Sequence, residues 1–262
     1  MKKFLLLGIL LFSAASVAHA AIQEKEVSYE SDGTQLKGYI VWDDSIQGKR
    51  PGVLVVHEWW GLNDYARKRA RMLAEQGYTA MALDMYGDGK HAHHPEDAKK
   101  FSSVISGNAA LAQARFEAAL SLLKQEPTVN ADVIGAIGYC MGGTVVLNMA
   151  RSGMPLKVVE SFHGGLSTQN PAEPGKVQAR MASYTGEADP FIPAEQVAAF
   201  RKEMADAGVV AEIVTYPGAQ HSFTSPDADK LGKEFNMPIA YDPAADADSW
   251  RKGLAFMAEA FK

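Results

Sequence analysis

The sequence predicts an α/β protein with a mostly parallel, twisted sheet, helices on both faces and an antiparallel hairpin at the N-terminal edge. Most of the chain alternates short apolar runs with helical segments, which is typical of parallel strands that are covered on both faces. Two runs near the N-terminus instead alternate apolar and polar residues around Ser31-Asp32-Gly33, which is typical of a hairpin. In such a sheet, ligands bind outside the carboxyl ends of the strands.

The N-terminal half of the chain carries the hairpin and the first helices. The apolar run 52–57 predicts a buried strand, and Asn63 can cap a helix that Gly77 ends. An interruption near Gly107-Asn108 divides the next helical region. The predicted elements are strands at 24–29, 35–42, 52–57 and 78–83, a helix over 63–76 and one or two helices within 95–124.

The C-terminal half continues the same alternation, again judged from the spacing of its apolar residues. The chain shows no internal repeat and no linker that would divide it. The predicted elements are strands at 132–137, 157–162, 180–185 and 211–216, and helices at 144–150, 194–207 and 246–261.

The first twenty residues have the pattern of a secretory signal peptide. Lys2 and Lys3 precede the apolar stretch 4–17, and Ala18-His19-Ala20 has the small-x-small form of a cleavage site. The apolar stretch is short for a bilayer span, so we predict cleavage after Ala20 and export to the periplasm or beyond. Residues 21–262, about 240 in number, are enough for one α/β domain with a large core.

Charge and cysteine content restrict the classes of partner. Loss of Lys2 and Lys3 lowers the formal net charge from −5 to −7, which argues against nucleic acid or an anionic membrane surface as a partner. The chain contains one cysteine, Cys140, so an internal disulfide is excluded. An unpaired thiol in an oxidising compartment indicates either burial or chemical use. We expect a monomer that acts on a small molecule.

Cys140 lies in Gly138-Tyr139-Cys140-Met141-Gly142, between an apolar strand and a helix-forming run. A strand, a tight turn with a nucleophile at its tip and a helix form the nucleophile elbow of the α/β-hydrolase fold. Small residues flank such a turn because its backbone is strained and the strand passes close to the helix. The alternative is a small, buried apolar cysteine without a chemical role.

Four candidate catalytic residues lie just past the carboxyl ends of predicted strands: Glu58, Cys140, Asp189 and His221. Nucleophile, acid and histidine occur in the chain order of an α/β-hydrolase triad. In that arrangement, His221 exchanges the proton of the thiol and the leaving group, and Asp189 fixes the tautomer of the ring. Singly, the aspartate is equally typical of a turn and the histidine of a solvated loop.

Other residues would complete the site. The backbone amides of Trp59 and Met141 occupy the positions from which this fold binds an oxyanion. Trp60, Tyr86 and His163 follow strands, where they would line a substrate pocket or simply pack.

Two further runs contain residue types that bind metals or anions. The run 91–96 contains histidines and a glutamate without the spacing of a metal site, so we predict a solvated loop and no metal or organic cofactor. The basic residues within 67–71 are interpreted as a solvated helix face.

The combined motifs resemble the dienelactone hydrolase (carboxymethylenebutenolidase) family over essentially the whole predicted mature chain. The motifs are His57-Glu58-Trp59-Trp60-Gly61-Leu62, Asp84-Met85-Tyr86, Gly138-Tyr139-Cys140-Met141-Gly142-Gly143, Gly186-Glu187-Ala188-Asp189 and His221-Ser222-Phe223. The resemblance implies hydrolysis of an ester or lactone by a thiol nucleophile. It further implies that Glu58 contacts the resting thiol and, once substrate displaces it, takes the thiol proton.

The chain departs from the family at the positions that bind a substrate carboxylate. Family members specific for dienelactone carry one arginine shortly after the Asp-x-Tyr segment and another just after His-x-Phe. Here Tyr86 is followed by Gly87-Asp88-Gly89-Lys90, and Phe223 by Thr224-Ser225. A missing guanidinium weakens recognition of a small carboxylate. A broader ester or thioester hydrolase is therefore one alternative, and a non-catalytic periplasmic binding protein on the same fold is another.

Overall fold

The computed structural model describes residues 21–262, so the predicted signal peptide lies outside the described residues. Eight strands form one sheet in the order β1-β2-β4-β3-β5-β6-β7-β8. Their bounds are β1 Ile22–Ser31, β2 Thr34–Asp43, β3 Arg50–Val56, β4 Thr79–Leu83, β5 Val129–Tyr139, β6 Val158–Phe162, β7 Arg180–Gly186 and β8 Ala211–Tyr216.

The sheet is parallel except at its N-terminal edge. β1 pairs with β2, and β2 with β4, in antiparallel register, whereas the pairings from β4 to β8 are parallel. The hairpin turns at Asp32 and Gly33, both of which have positive φ. The predicted fold class, including the antiparallel edge hairpin, is confirmed.

Seven helices of the described chain surround the sheet. They are α1 Asp64–Ala74, α2 Pro95–Ser106, α3 Ala109–Lys124, α4 Met141–Arg151, α5 Ala194–Asp206, α6 Ala228–Phe235 and α7 Pro243–Ala260. Asn63 caps α1, as predicted, and Asn108 caps α3 by accepting from Leu111 N. Among residues 21–262, no helix combines the length and the apolar composition that crossing a bilayer requires.

Two apolar clusters occupy the two faces of the sheet. One contains Leu54, Met81 and Phe116, and the other contains Val55, Tyr139 and Phe256. Neighbouring residues of a strand point to opposite faces, so the continuous apolar runs of the central strands supply both clusters. With both faces covered, the carboxyl ends of the strands remain as the accessible edge.

The predicted elements agree with the structure apart from their bounds and one helix. α6 was not predicted, because it is only eight residues long and lies in a region rich in turn-forming residues. α7 begins at Pro243, three residues before the predicted start, with Asp242 as its cap.

Candidate active site

The turn between β5 and α4 holds Cys140 in a strained conformation. Its φ of 52° and ψ of −118° lie outside the regions that residues with a side chain normally adopt. A Cβ at Gly142 would overlap the carbonyl oxygen of Val56, so only glycine lets α4 begin this close to β3. The sequence therefore builds the sharp elbow that presents the sulfur at the end of the sheet.

The loops after β7 and β8 bring an aspartate and a histidine to this sulfur. His221 Nε2 lies 3.1 Å from Cys140 Sγ, and His221 Nδ1 lies 2.7 Å from Asp189 Oδ2. The two loops are joined where Ala188 N donates to Ala219 O at 3.0 Å. Sulfur, imidazole and carboxylate thus form one hydrogen-bonded chain at the carboxyl ends of three strands.

The surroundings of His221 favour its charged form. Burial opposes the charge, but the neighbouring Cys140 sulfur, which is negative when ionised, and the hydrogen bond to Asp189 outweigh burial and raise the pKa of His221 to about 10. The other oxygen of Asp189 accepts from Phe191 N at 2.8 Å, which fixes the carboxylate. The pair can therefore stabilise an imidazolium beside a thiolate.

Glu58 lies beside this chain of groups rather than against the sulfur. It is buried, and its Oε1 accepts a hydrogen bond from Ser222 Oγ at 3.1 Å. Burial raises the pKa of Glu58 to about 7, although the charge of His221 acts in the opposite direction. Among the described residues, the hydrogen-bond partner of the Cys140 thiol is His221, and Glu58 forms no hydrogen bond with the sulfur in this conformation.

The two predicted oxyanion donors follow β3 and β5. Met141 begins α4, where the first N–H groups have no partner within the helix, and Trp59 follows Glu58 in the loop after β3. Tyr86 links them, because its hydroxyl donates to Trp59 O at 2.8 Å and lies 3.3 Å from Met141 Sδ. Tyr86 is thus placed to fix the Trp59 peptide rather than to offer a free hydroxyl to a substrate.

Trp60 borders a cavity of about 860 Å³, together with Glu58. Residues of β1, β2, α1 and α6, with the loops before α1 and α6 and the loop 89–93, complete the lining. Cys140 and His221 lie outside this lining, so the cavity adjoins the chemical centre on the Glu58 side.

His163 lies beneath the nucleophile and is fully buried. Its Nδ1 accepts from Cys140 N at 3.1 Å, and its Nε2 lies 2.8 Å from Thr224 Oγ1. Both ring nitrogens are therefore engaged by the protein, and the ring does not offer a polar group to a pocket.

Arg69 corrects the interpretation of the basic helix face. Arg69 is only 2% exposed, and its guanidinium donates to Thr224 O at 2.7 Å and to Asp246 Oδ1 at 2.6 Å. The face was wrongly assigned to solvent at this position, because the partners of Arg69 come from distant parts of the chain.

The sequence did not predict the contacts that Phe191, Ser222 and Thr224 make within the site. Phe191 is 54% exposed, and its ring contacts that of His221 edge-on with the centroids 5.0 Å apart. The position of Ser222 and Thr224, next to His221 in sequence, was the one available signal. Within residues 21–262, no group of three or more histidine, cysteine, aspartate or glutamate side chains is arranged to hold a metal ion.

Comparisons with known proteins point to one family. The model of the "Dienelactone hydrolase family" matches residues 36–261. A relative from Aquifex aeolicus, whose name assigns it to the carboxymethylenebutenolidases, is 24% identical over 234 residues, which cover 88% of this chain and 96% of the relative.

Two solved structures are similar over their whole length. The structure named m3DLH has a TM-score of 0.87 and 38% identity, covering 92% of this chain and 100% of its own. A dienelactone hydrolase-like promiscuous phosphotriesterase from metagenomic libraries has a TM-score of 0.85 and 33% identity, with the same coverage.

Proposed function

Because this chain belongs to the dienelactone hydrolase family and is a hydrolase of ester or lactone bonds, we propose that Cys140 is its nucleophile, with His221 as proton carrier and Asp189 as orienting carboxylate. The observation that carries the proposal is the continuous contact of Sγ with Nε2 at 3.1 Å and of Nδ1 with Oδ2 at 2.7 Å. This geometry supports a thiolate–imidazolium pair in the resting enzyme.

In the first half of the reaction, the Cys140 thiolate attacks the carbonyl carbon and forms a tetrahedral intermediate. The N–H groups of Met141 and Trp59 donate to the resulting oxyanion. When the intermediate collapses, the bond to the leaving oxygen breaks, and His221 donates its proton to that oxygen. The product of this half is an acyl-thioester on Cys140.

In the second half, the neutral His221 takes a proton from water, and the hydroxide attacks the thioester carbonyl. Collapse of this intermediate breaks the carbon–sulfur bond, releasing the carboxylic acid product and restoring the thiolate–imidazolium pair. Asp189 keeps Nδ1 protonated throughout, so that Nε2 faces the reacting atoms.

The accessory role of Glu58 follows from its position near His221. With a pKa raised to about 7, the Glu58 carboxyl titrates in the neutral range. In its ionised form it stabilises the positive His221 and opposes negative charge on Cys140. In this conformation Ser222 donates to Glu58, and the thiol is hydrogen-bonded to His221.

A broader range of esters, including thioesters and aryl esters, is the second candidate. The observation that favours it is the burial of Thr224, just after His221-Ser222-Phe223, at the position where the family resemblance implies an arginine in dienelactone-specific members. Thr224 is held by His163 and Arg69, so this position offers no guanidinium to a substrate carboxylate.

A substrate panel with the parent enzyme and Cys140→Ala tests both candidates. We expect the parent to hydrolyse neutral aryl esters with a higher kcat/KM than dienelactone, and Cys140→Ala to lose activity on every substrate. Activity of Cys140→Ala at the parent rate would remove the nucleophile from the proposal. A clear preference for dienelactone would remove the broader substrate range alone.

We also propose that the protein is exported and cleaved after Ala20, on the basis of the sequence pattern of residues 1–20. N-terminal sequencing of the protein from the periplasmic fraction should begin at Ala21. Recovery from the cytoplasm with residues 1–20 still attached would contradict export.

A further inference from the structure

The backbone N–H of Cys140 has two acceptors at the end of β6. It donates to the carbonyl oxygen of Phe162 at 3.0 Å and to Nδ1 of His163 at 3.1 Å. Because Nδ1 accepts, a neutral ring carries its proton on Nε2, which then donates to Thr224 Oγ1 at 2.8 Å. The Cys140 N–H therefore selects the tautomer, and Thr224 is placed to accept the proton that this tautomer carries on Nε2.

His163 and Cys140 share an unusual backbone conformation. The φ of His163 is 43° and that of Cys140 is 52°, and both residues directly follow neighbouring parallel strands. Non-glycine residues keep such angles only where their surroundings hold them. The hydrogen bond between the two residues joins these strained positions.

Thr224 is itself held in place from α1. Its Oγ1 lies 2.5 Å from the Tyr65 hydroxyl, and its carbonyl accepts from Arg69 at 2.7 Å. Arg69 also forms an ion pair with Asp246 of α7 at 2.6 Å. The acceptor of the His163 proton is thus anchored by two helices, and these buried groups are partnered.

The ring of His163 has to stay neutral for this role. Burial, followed by the positive charges of His221 and Arg69, lowers the pKa of His163 well below its ordinary value. A charged ring would turn Nδ1 into a donor facing the Cys140 N–H. It would also place a second cation beside His221, whose ring centroid is 5.3 Å away.

We propose that His163 is a positioning residue for the nucleophile: its neutral ring, held by Thr224, fixes the Cys140 peptide so that the sulfur faces His221 and the next N–H faces the substrate oxygen. The inference rests on the proposed function, in which Cys140 attacks the substrate. His163 takes no part in proton transfer, since both of its ring nitrogens are engaged away from the reacting atoms.

A matched pair of variants tests the acceptor. His163→Phe keeps an aromatic ring but removes the acceptor, whereas His163→Asn keeps an oxygen at the Nδ1 position and tolerates positive φ. We expect His163→Phe to lower kcat by about tenfold with KM changed by less than about twofold, and His163→Asn to stay within about threefold of the parent. The rate at which iodoacetamide alkylates Cys140 at pH 7 should be highest in the parent, slightly lower in His163→Asn and lowest in His163→Phe.

Parent kcat in His163→Phe, or an equal loss in His163→Asn, would overturn the proposal. Thr224→Val provides a second test if His163→Phe does not fold, because it removes the acceptor for Nε2 and preserves the shape. Thr224→Val should lower kcat several-fold. The kcat of the double variant His163→Phe/Thr224→Val should lie within about twofold of that of His163→Phe, because both changes act through the same hydrogen bonds. A Thr224→Val enzyme with parent kcat would count against the proposal.

The ¹⁵N NMR signals of the His163 ring test the tautomer directly. We expect a neutral ring protonated at Nε2 from pH 6 to pH 9 in the parent enzyme. A charged ring, or a proton on Nδ1, would contradict the assignment. The NMR and alkylation experiments need no substrate, so they test the role of His163 without depending on the proposed function. The proposed function is tested separately by the activity of Cys140→Ala.

Discussion

The buried polar groups of Asp189 and His221 near Cys140 have hydrogen-bond partners, whereas Glu160, a buried carboxyl on β6, has none among the described residues. Around the sulfur, both oxygens of Asp189 and both ring nitrogens of His221 have partners. Glu160 is equally buried, yet neither of its oxygens has a hydrogen-bond partner among the described residues. It faces α7, where a Cβ at Gly253 would overlap the carboxyl.

The difference shows that burial alone does not prepare a group for chemistry. Partners around Asp189 and His221 stabilise particular charge and proton positions, which is what catalysis requires. Burial raises the pKa of Glu160 well above its ordinary value, and the charge of Glu212 adds to the effect. Glu160 is therefore best described as a neutral part of the core.

Removing the partner of His221 should have the largest effect. Asp189→Asn lets the ring adopt the wrong tautomer, so we expect kcat to fall by about a hundredfold or more. Glu187→Gln, a change of an exposed acid two residues away, is the matched control and should remain near the parent rate. Steady-state kinetics on an aryl ester give the comparison, and equal rates for the two variants would refute the orienting role of Asp189.

Glu160→Gln should change stability rather than rate, in a pH-dependent manner. The ordinary pKa of the carboxyl is 4.5, and its pKa in the folded protein is higher. The contribution of the neutral Glu160 to stability is therefore complete below pH 4.5 and is lost as the pH rises towards the pKa in the folded protein. Relative to Glu160→Gln, the parent should lose up to about 1.4 kcal/mol per pH unit in that window.

Denaturant unfolding at pH 5 and pH 8 measures this prediction. The difference in unfolding free energy between parent and Glu160→Gln should grow between the two values, with the variant gaining. A difference that is the same at both values would mean that Glu160 is already ionised in the fold.

Glu58→Gln should produce the smallest change, in the shape of a pH profile. Glu58 has a pKa of about 7, so the parent profile of Cys140 alkylation should contain a step near pH 7. The step should be missing from Glu58→Gln and kept in Glu187→Gln. Its persistence in Glu58→Gln would assign it to another group.

The parts of the fold that were predictable from the sequence depend on local patterns. The hairpin follows from alternation around Asp32 and Gly33, and the elbow from the glycines that flank Cys140. The chain order of Cys140, Asp189 and His221 pointed to groups that the structure brings together. The apolar residues of α6 do lie on one face, but eight residues between turns are too short a window for that spacing to stand out.

The support beneath the site was not predictable for a different physical reason. Arg69 is one of several basic residues on α1, and only its contacts with Thr224 and Asp246 separate it from its exposed neighbours. His163 follows a strand like a pocket residue, but packing turns it under Cys140. Such contacts join residues far apart in sequence, and no local spacing encodes them.

Trapping the acyl-enzyme tests the central claim most directly. The parent enzyme is mixed with a slowly hydrolysed aryl ester, quenched in acid and analysed by intact-mass and peptide mass spectrometry. Because Cys140 is the only cysteine, a hydroxylamine-sensitive thioester has a single place in the chain. We predict an added acyl mass on the Cys140 peptide that is absent from Cys140→Ala. Continued hydrolysis with no acyl mass on that peptide, or the same acylation in Cys140→Ala, would contradict the account.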